Sequence, residues 1–398
     1  MIRTGFVASL ALLAAACSSL DPPGSTSVGT AWVGSWGASP AVPTPASKSF
    51  ENQTVRQVLR LSAGGSHIRI RLTNEYGDKP LKVGSATIQR VGADGQPTGD
   101  AVQLSFGGAR EVVIPKASPF YSESLAFPVK PLELVAISLF LPEQTGPCTC
   151  HALGVQNVEI SGPGDFTHGG FEKKEQFTSR PFLSAIEVSP TTPTRAIITF
   201  GDSITDGYQS TIGANRRWPD VLAERLQKAG MNRAVVNEAI SGNRILSYGN
   251  ASFGDPALAR FDRDVLTVPG AQWLVMLEGV NDLGMGAANP PTFETMKAGY
   301  EQVIERAHAH GLKVYLSTII PYEGARYHTP EGEVVRHKIN DWIRLGHGFE
   351  GFIDLDAAIR DPANPDKMKA DLQSGDWLHP NDAGYKVMGE AIDLALFR

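Results

Sequence analysis

The chain has 398 residues, of which 42% are hydrophobic and 20% charged, and its formal net charge is −6. This composition is typical of a globular protein and too apolar for a disordered one. The length exceeds what one ordinary core supports and predicts about two domains. The acidic balance, with a pI near 5.9 and no Lys/Arg cluster, excludes a nucleic-acid partner.

The first seventeen residues have the pattern of a signal peptide. Arg3 supplies the positive end, Phe6 to Ala16 is apolar, and Ala14-Ala15-Ala16 is a small-residue cleavage site. The apolar run is too short to span a bilayer. We therefore expect an exported protein, with residues 1–17 as the signal peptide.

Cys17 directly follows the small residues, and Leu13-Ala14-Ala15-Ala16-Cys17 resembles a bacterial lipoprotein signal, in which the cysteine is lipidated. It departs from that pattern at Ala14, where leucine is preferred. The resemblance implies a membrane-anchored lipoprotein, and the alternative is plain secretion to the periplasm or beyond. Ser- and Pro-containing residues 18–30 would form a flexible tether.

Cys148 and Cys150 are separated by one threonine. In an extended segment their side chains point the same way, at a Cα separation near the upper limit for a disulfide. A bridge in an oxidising compartment and two free thiols both remain open.

Residues 31–188 show a period of two, which is typical of half-buried strands. In His67 to Thr73, apolar Ile68, Ile70 and Leu72 alternate with polar residues. Turns containing Gly and Pro separate the runs, and this predicts an antiparallel β-sandwich. Further strands are predicted at Val55 to Leu61, Leu81 to Val91, Arg110 to Ile114, Ser122 to Val129 and Leu132 to Leu141.

Residues 189–194 form a short Ser/Thr/Pro linker, after which residues 195–398 follow a different pattern. Apolar strands alternate with helices, which predicts a parallel sheet covered on both faces, with ligands at the carboxyl ends of the strands. Strands are predicted at Ala196 to Phe200, Ala234 to Ala239, Trp273 to Leu277, Val314 to Ile319 and Phe352 to Leu355. Helices are predicted at Trp218 to Ala229, Ala257 to Leu266, Thr292 to His310, Glu331 to Leu345 and Asn381 to Leu396.

Ser203 directly follows the first of these strands, where a tight turn can present a nucleophile. The candidate base is His379, and Asp376 lies three residues earlier, within reach of its ring N–H. A developing oxyanion needs fixed donors, and the candidates are the amides of Ser203 and Gly242 and the side chain of Asn281. Taken singly, each residue could be an ordinary capping, loop or turn residue.

Together these residues resemble the SGNH, or GDSL, hydrolases, whose four sequence blocks occur here in the family's order. The blocks are Gly201-Asp202-Ser203-Ile204-Thr205, Ser241-Gly242-Asn243, Gly279-Val280-Asn281-Asp282 and Asp376-Trp377-Leu378-His379-Pro380. The resemblance implies a catalytic triad of Ser203, His379 and Asp376, an oxyanion hole of Ser203, Gly242 and Asn281, and a flavodoxin-like sheet. No Gly-x-Ser-x-Gly elbow of the α/β-hydrolases surrounds Ser203. The implied activity is hydrolysis of carboxylic esters.

The substrate is less sharply indicated. Tyr208, Trp218 and Trp377 could form an aromatic wall against a sugar ring, or could be core residues. The segments Asn215-Arg216-Arg217-Trp218-Pro219 and Leu277 to Asp282 resemble the branch associated with xylan and other polysaccharide esters, which implies an O-acetyl carbohydrate substrate. The alternatives are a lipase or arylesterase acting on lipidic or small esters, and a non-catalytic glycan-binding surface protein.

No cofactor or metal is expected. His308 and His310 lie two apart on a predicted helix and so point to different sides. No phosphate-binding loop of the Gly-Lys-Ser/Thr type is present in the sequence. The expected partners are therefore the ester substrate and, through Cys17 alone, a membrane.

Overall fold

The computed structural model describes Met1 and residues 31–92, 94–285 and 290–398. Cys17, the tether and the signal peptide beyond Met1 lie outside this described part of the chain, so the predictions made for them stay predictions. Ala31–Arg398 form one compact unit. Among the described residues, no helix has the length and apolar character needed to cross a membrane.

The first half of this unit consists of short strands. They are β1 Val33–Gly37, β2 Gln53–Arg60, β3 Gly65–Asn74, β4 Leu81–Val83, β5 Ser85–Val91, β6 Pro97–Gln103, β7 Val112–Ile114, β8 Ser118–Tyr121, β9 Leu125–Val129, β10 Leu134–Leu141, β11 Cys150–His151, β12 Val158–Pro163, β13 Lys173–Phe177, β14 Arg180–Pro181 and β15 Leu183–Ser189.

These strands build two large antiparallel sheets. One has the order β1-β15-β3-β8, with β9 also paired to β3, and the other has the order β13-β12-β2-β10-β5-β6. The alternation predicted in β3 is confirmed, because Ile68, Ile70 and Leu72 are completely buried. The predicted strand from Leu81 to Val91 is divided into β4 and β5, which belong to different sheets. The expected antiparallel β-sandwich is confirmed.

A disulfide joins Cys148 and Cys150, whose Cα atoms are 5.4 Å apart. Of the two states that the sequence left open, the structure therefore has the bridge. The disulfide lies in a buried segment immediately before His151, whose ring contacts Asp206.

After residues 190–194 the chain alternates strands and helices. The strands are β16 Arg195–Gly201, β17 Arg233–Asn237, β18 Ala271–Leu277, β19 Lys313–Ser317, β20 Gly351–Ile353, β21 Arg360–Asp361 and β22 Asn364–Met368. The helices are α1 Ser203–Asp206, α2 Trp218–Lys228, α3 Ala257–Phe261, α4 Val280–Gly284, α5 Phe293–Ala309, α6 Pro330–Leu345, α7 Leu355–Ile359 and α8 Asp382–Ala391.

The first five strands of this half form a parallel sheet in the order β17-β16-β18-β19-β20. Counted within the sheet, this is the 2-1-3-4-5 order of flavodoxin-like folds, in which ligands bind beyond the carboxyl ends of the strands. The expected α/β fold is confirmed. The sheet brings the segments after β16, β17 and β18 to one edge. The first three of the four sequence blocks lie in these segments, one after each strand.

Two predicted helices are interrupted. The helix predicted from Ala257 to Leu266 is α3 followed by a π-helical turn, Asp262–Leu266. The last predicted helix ends at Ala391 and is followed by a short 3₁₀ turn, Leu394–Phe397. The hairpin of β21 and β22 was not predicted, because Asn364-Pro365-Asp366 has no strand pattern.

Candidate active site

The turn that carries Ser203 is fixed by its two preceding residues. Gly201 ends β16, and a Cβ atom there would collide with the carbonyl oxygen of Leu277. Asp202 caps α1, its Oδ1 accepting the N–H of Ile204 at 3.0 Å, and burial raises the pKa of Asp202 to about 7. Ser203 is therefore the first residue of a short helix and does not itself cap it.

The structure brings together the three residues predicted as a triad. The Oγ of Ser203 lies 2.8 Å from Nε2 of His379, and Nδ1 of His379 lies 2.6 Å from Oδ2 of Asp376. Ser203 and His379 are both buried. The histidine comes from the loop before α8, whose cap is Asn381 accepting the N–H of Gly384 at 3.0 Å.

Asp376 holds the histidine in one tautomer. Its Oδ1 accepts the backbone N–H groups of Leu378 at 3.0 Å and His379 at 2.9 Å. Although burial opposes ionisation, the ring and backbone N–H groups of His379 and the N–H of Leu378 hold the pKa of Asp376 well below its usual range. The carboxylate keeps the proton on Nδ1, which leaves the Nε2 lone pair facing the Ser203 hydroxyl.

The three groups predicted as oxyanion donors follow β16, β17 and β18, at one edge of the parallel sheet. Within the described part of the chain, the backbone N–H groups of Ser203 and Gly242 donate to no acceptor. Gly242 has φ 81°, a conformation that favours glycine. Asn281 is buried in α4 and donates one Nδ2 hydrogen to the carbonyl of Asn243 at 2.9 Å, which leaves its second hydrogen for a ligand.

Tyr327 orients this asparagine and was missed by the sequence reasoning. Its hydroxyl donates to Oδ1 of Asn281 at 3.0 Å. Because the carbonyl of Asn243 can only accept, Nδ2 of Asn281 must face it, and Oδ1 must face Tyr327. Tyr327 lies in an irregular segment after β19, where no local pattern marks it.

Arg260 was also missed, because it lies inside a predicted helix. It is completely buried and donates to the carbonyl of Gly201 at 3.0 Å, to Oδ1 of Asn243 at 2.8 Å and to the carbonyl of Glu238 at 2.6 Å. One guanidinium thus joins the ends of β16 and β17 to the Gly242 loop. Its fixed fork of donors suits this role.

The three aromatic residues predicted as a substrate wall have different positions. Trp218 is completely buried, so of the two possibilities left open for it, a substrate wall or the core, the structure has the core. Tyr208 is 40% exposed, and its ring meets the His379 ring edge-on at 4.6 Å between centroids. Trp377 is half-buried, with Lys367 over its ring at 4.0 Å.

One cluster away from the triad brings three potential metal-ligand atoms together among the described residues, from Glu333, His337 and Asp366. Arg336 already pairs with both of its carboxylates, donating to Glu333 at 2.7 Å and to Asp366 at 3.2 Å. A guanidinium in this place takes the acceptors that a cation would need. These residues therefore fit an ion-pair network better than a metal-binding site.

The whole constellation lies in a part of the chain that matches a known family. Residues 199–387 match the family described as GDSL-like Lipase/Acylhydrolase. That match contains Ser203, Gly242, Asn281, Asp376 and His379. No curated protein matches the chain.

Several solved structures are similar to half of the chain. An aryl esterase from M. smegmatis is 16% identical, with 50% of this chain and 95% of that chain covered and a TM-score of 0.41. A lipase/acylhydrolase from Enterococcus faecalis is 21% identical, with 50% and 92% covered and a TM-score of 0.38. A carbohydrate acetylesterase family member from Sinorhizobium meliloti is 16% identical, with 51% and 97% covered and a TM-score of 0.42.

The family match, which implies an ester hydrolase, spans the same residues as the triad and the three donors. By sequence, residues 199–387 of this chain are similar to the GDSL-like lipase/acylhydrolase family.

Proposed function

We propose that the protein is a serine esterase that hydrolyses carboxylic esters through an acyl-enzyme. The observation that carries this proposal is the continuous hydrogen-bond chain from Ser203 through His379 to Asp376. A serine hydroxyl is a weak nucleophile until a base accepts its proton, and this chain provides the base and the group that orients it. An intact triad also favours catalysis over the alternative of a non-catalytic glycan-binding protein.

The reaction has two steps of the same form. Ser203 Oγ attacks the ester carbonyl carbon as its proton passes to Nε2 of His379, and the proton then leaves with the alcohol. Water next gives a proton to His379 and attacks the acyl carbon, which releases the acid and returns the proton to Ser203. In both steps the negative oxygen is stabilised by the donors of Ser203, Gly242 and Asn281, each worth roughly 10²- to 10³-fold in rate.

For the substrate we propose O-acetyl groups on a carbohydrate. The support is Tyr208, whose exposed ring beside His379 offers a flat apolar surface with a polar end, as suits a sugar ring. The same ring would suit an aryl leaving group, so an arylesterase is the second candidate. A lipase, acting on long acyl chains, is the third.

The test compares acetylated xylan, an aryl acetate and a long-chain acyl ester at equal ester concentration. We expect the highest kcat/KM on acetylated xylan. A higher value on the aryl acetate would favour an arylesterase, and a higher value on the long-chain ester would favour a lipase. Ser203→Ala should reduce all three activities to background with an unchanged thermal midpoint. Ser210→Ala is the matched control, since Ser210 is equally buried in the same segment and its hydroxyl donates to the carbonyl of Gly207 at 2.7 Å.

We also propose that the protein is exported and lipidated at Cys17. Metabolic labelling with a fatty-acid probe should mark the wild type in the membrane fraction, while Cys17→Ser should stay unlabelled. Label on the variant, or none on the wild type, would contradict lipidation.

A further inference from the structure

A histidine of the β-rich region lies buried against the catalytic region. His151 ends β11, and its Nε2 lies 2.9 Å from Oδ1 of Asp206, while its Nδ1 lies 3.0 Å from the carbonyl oxygen of Ser39. Both neighbours offer acceptor oxygens, so the geometry favours a proton on each ring nitrogen, as in an imidazolium. Although burial opposes this charge, the Asp206 carboxylate and the Ser39 carbonyl raise the pKa of His151.

The other oxygen of Asp206 holds the oxyanion loop. Its Oδ2 accepts the backbone N–H of Ser241 at 3.0 Å and the Ser241 hydroxyl at 2.8 Å. Ser241 immediately precedes Gly242, and Asp206 is the last residue of the helix that Ser203 begins. One carboxylate thus sets the spacing between the nucleophile and the second oxyanion donor.

His151 is the cation that balances this carboxylate. Asp206 and His151 are 2% and 5% exposed, and a buried charge without a partner is strongly destabilising. Arg217 also lies near Asp206, but its guanidinium is bonded to Asp220 at 2.7 and 3.1 Å. Without His151, the buried Asp206 carboxylate would lose its charge partner and have to move towards water, and this movement would release Ser241.

A second contact from the β-rich region reaches the same site. Ser39, which accepts from His151, donates through Oγ to Oε2 of Glu238 at 2.6 Å. The carbonyl of Glu238 accepts from Arg260, and Arg260 donates to the carbonyl of Gly201. The nucleophile turn is therefore connected to the β-rich region from both of its ends.

From these contacts we infer that His151 is a positioning residue of the esterase: through Asp206 and Ser241 it fixes the Gly242 amide, so that the β-rich region completes the oxyanion hole. This inference rests on the proposed function. It gives the β-rich region a role in the reaction itself, where a carbohydrate-binding module would have none.

The test uses full-length His151→Gln and Ser241→Ala and an aryl acetate as the substrate. Each change should displace the Gly242 amide without removing it, so kcat should fall by roughly 10- to 100-fold, which is less than the effect of removing a donor. KM should stay within about twofold of the wild-type value. Phenylboronic acid, whose adduct with Ser203 puts an oxygen in the oxyanion hole, should bind more weakly by the same factor. The double variant should lose no more than the worse single variant, because both changes break one connection.

The matched control is Thr149→Val. Thr149 is equally buried two residues away and accepts the N–H of Tyr76 at 3.1 Å, so its loss tests disturbance of the same segment without touching Asp206. The control should keep its kcat even if its thermal midpoint falls. Unchanged kcat in both test variants, equal losses in the control, or multiplying losses in the double variant would each overturn the inference. An inactive wild type would instead refute the proposed function.

Discussion

Asp376→Asn tests the tautomer argument, because the structure predicts how the new amide would turn. Oδ1 of Asp376 accepts two backbone N–H groups and the Ser374 hydroxyl, whereas among the described residues Oδ2 accepts only the ring N–H of His379. The asparagine oxygen should stay with the two backbone donors, which puts the amide NH₂ against Nδ1 of His379. That donor selects the tautomer with its proton on Nε2, which cannot accept the proton of Ser203.

The size of the loss follows from two contributions. To restore the tautomer with its proton on Nδ1, the asparagine amide would have to turn its NH₂ towards the two backbone N–H groups. This loses about one net hydrogen bond and brings donors against donors, which together cost about 2 kcal/mol. Two unit charges about 4 Å apart attract by about 4 kcal/mol at an effective dielectric constant of about 20. Because the Asp376 side chain is 39% exposed, we halve this charge contribution to the imidazolium, to about 2 kcal/mol. The sum of about 4 kcal/mol predicts a loss of about 10³-fold in kcat.

The assay is steady-state hydrolysis of a chromogenic aryl acetate near neutral pH. Ser374→Ala is the control, since Ser374 donates to the same carboxylate at 3.2 Å without touching the ring. It should lose less than about threefold in kcat, as expected for one long, half-buried hydrogen bond. A loss of under about tenfold for Asp376→Asn, with the variant folded, would refute the reasoning.

Three further changes probe the surrounding groups. Tyr327→Phe frees the Asn281 amide to rotate. It should lower kcat roughly tenfold, which corresponds to about one net hydrogen bond, and leave KM unchanged. An unchanged kcat would show that Tyr327 has no role in the site. Gly242→Ala adds a Cβ that collides with the Phe253 ring at positive φ and should cost roughly 10²-fold in kcat with a lower thermal midpoint; normal activity would exclude Gly242 as a donor. Burial raises the pKa of Glu278 well above its usual range, so the wild type loses stability as pH rises above the unfolded-state pKa, whereas Glu278→Gln does not. The urea midpoint of Glu278→Gln relative to wild type should rise from pH 5 to pH 8, and a difference that does not change with pH would contradict this assignment.

The sequence predicted the strands of the parallel sheet and the long helices well, because each of them carries a hydrophobic pattern over its whole length. Continuous apolar runs fixed the five parallel strands, and α2, α5 and α6 agree with their predicted bounds to within about two residues. The π-helical turn after α3 could not be predicted, because Asp262-Arg263-Asp264 has the polarity of an ordinary helix surface.

The residues that react could be proposed from the sequence, but those that hold them could not. Ser203, His379 and Asp376 stand in short motifs whose chemistry is local. Tyr327 and His151 act across large separations in sequence, on Asn281 and Asp206 respectively. Nothing near either residue in the chain indicates its partner, so only the fold reveals the contact.

The central claim is that Ser203 is the nucleophile, and covalent trapping tests it most directly. The full-length protein would be treated with a fluorophosphonate ester and its adducts located by intact mass and peptide mapping. We predict one adduct per chain, on Ser203, with none on Ser203→Ala and much slower labelling of His379→Ala. An unlabelled wild type that still hydrolyses esters, or an adduct on another residue, would contradict the mechanism.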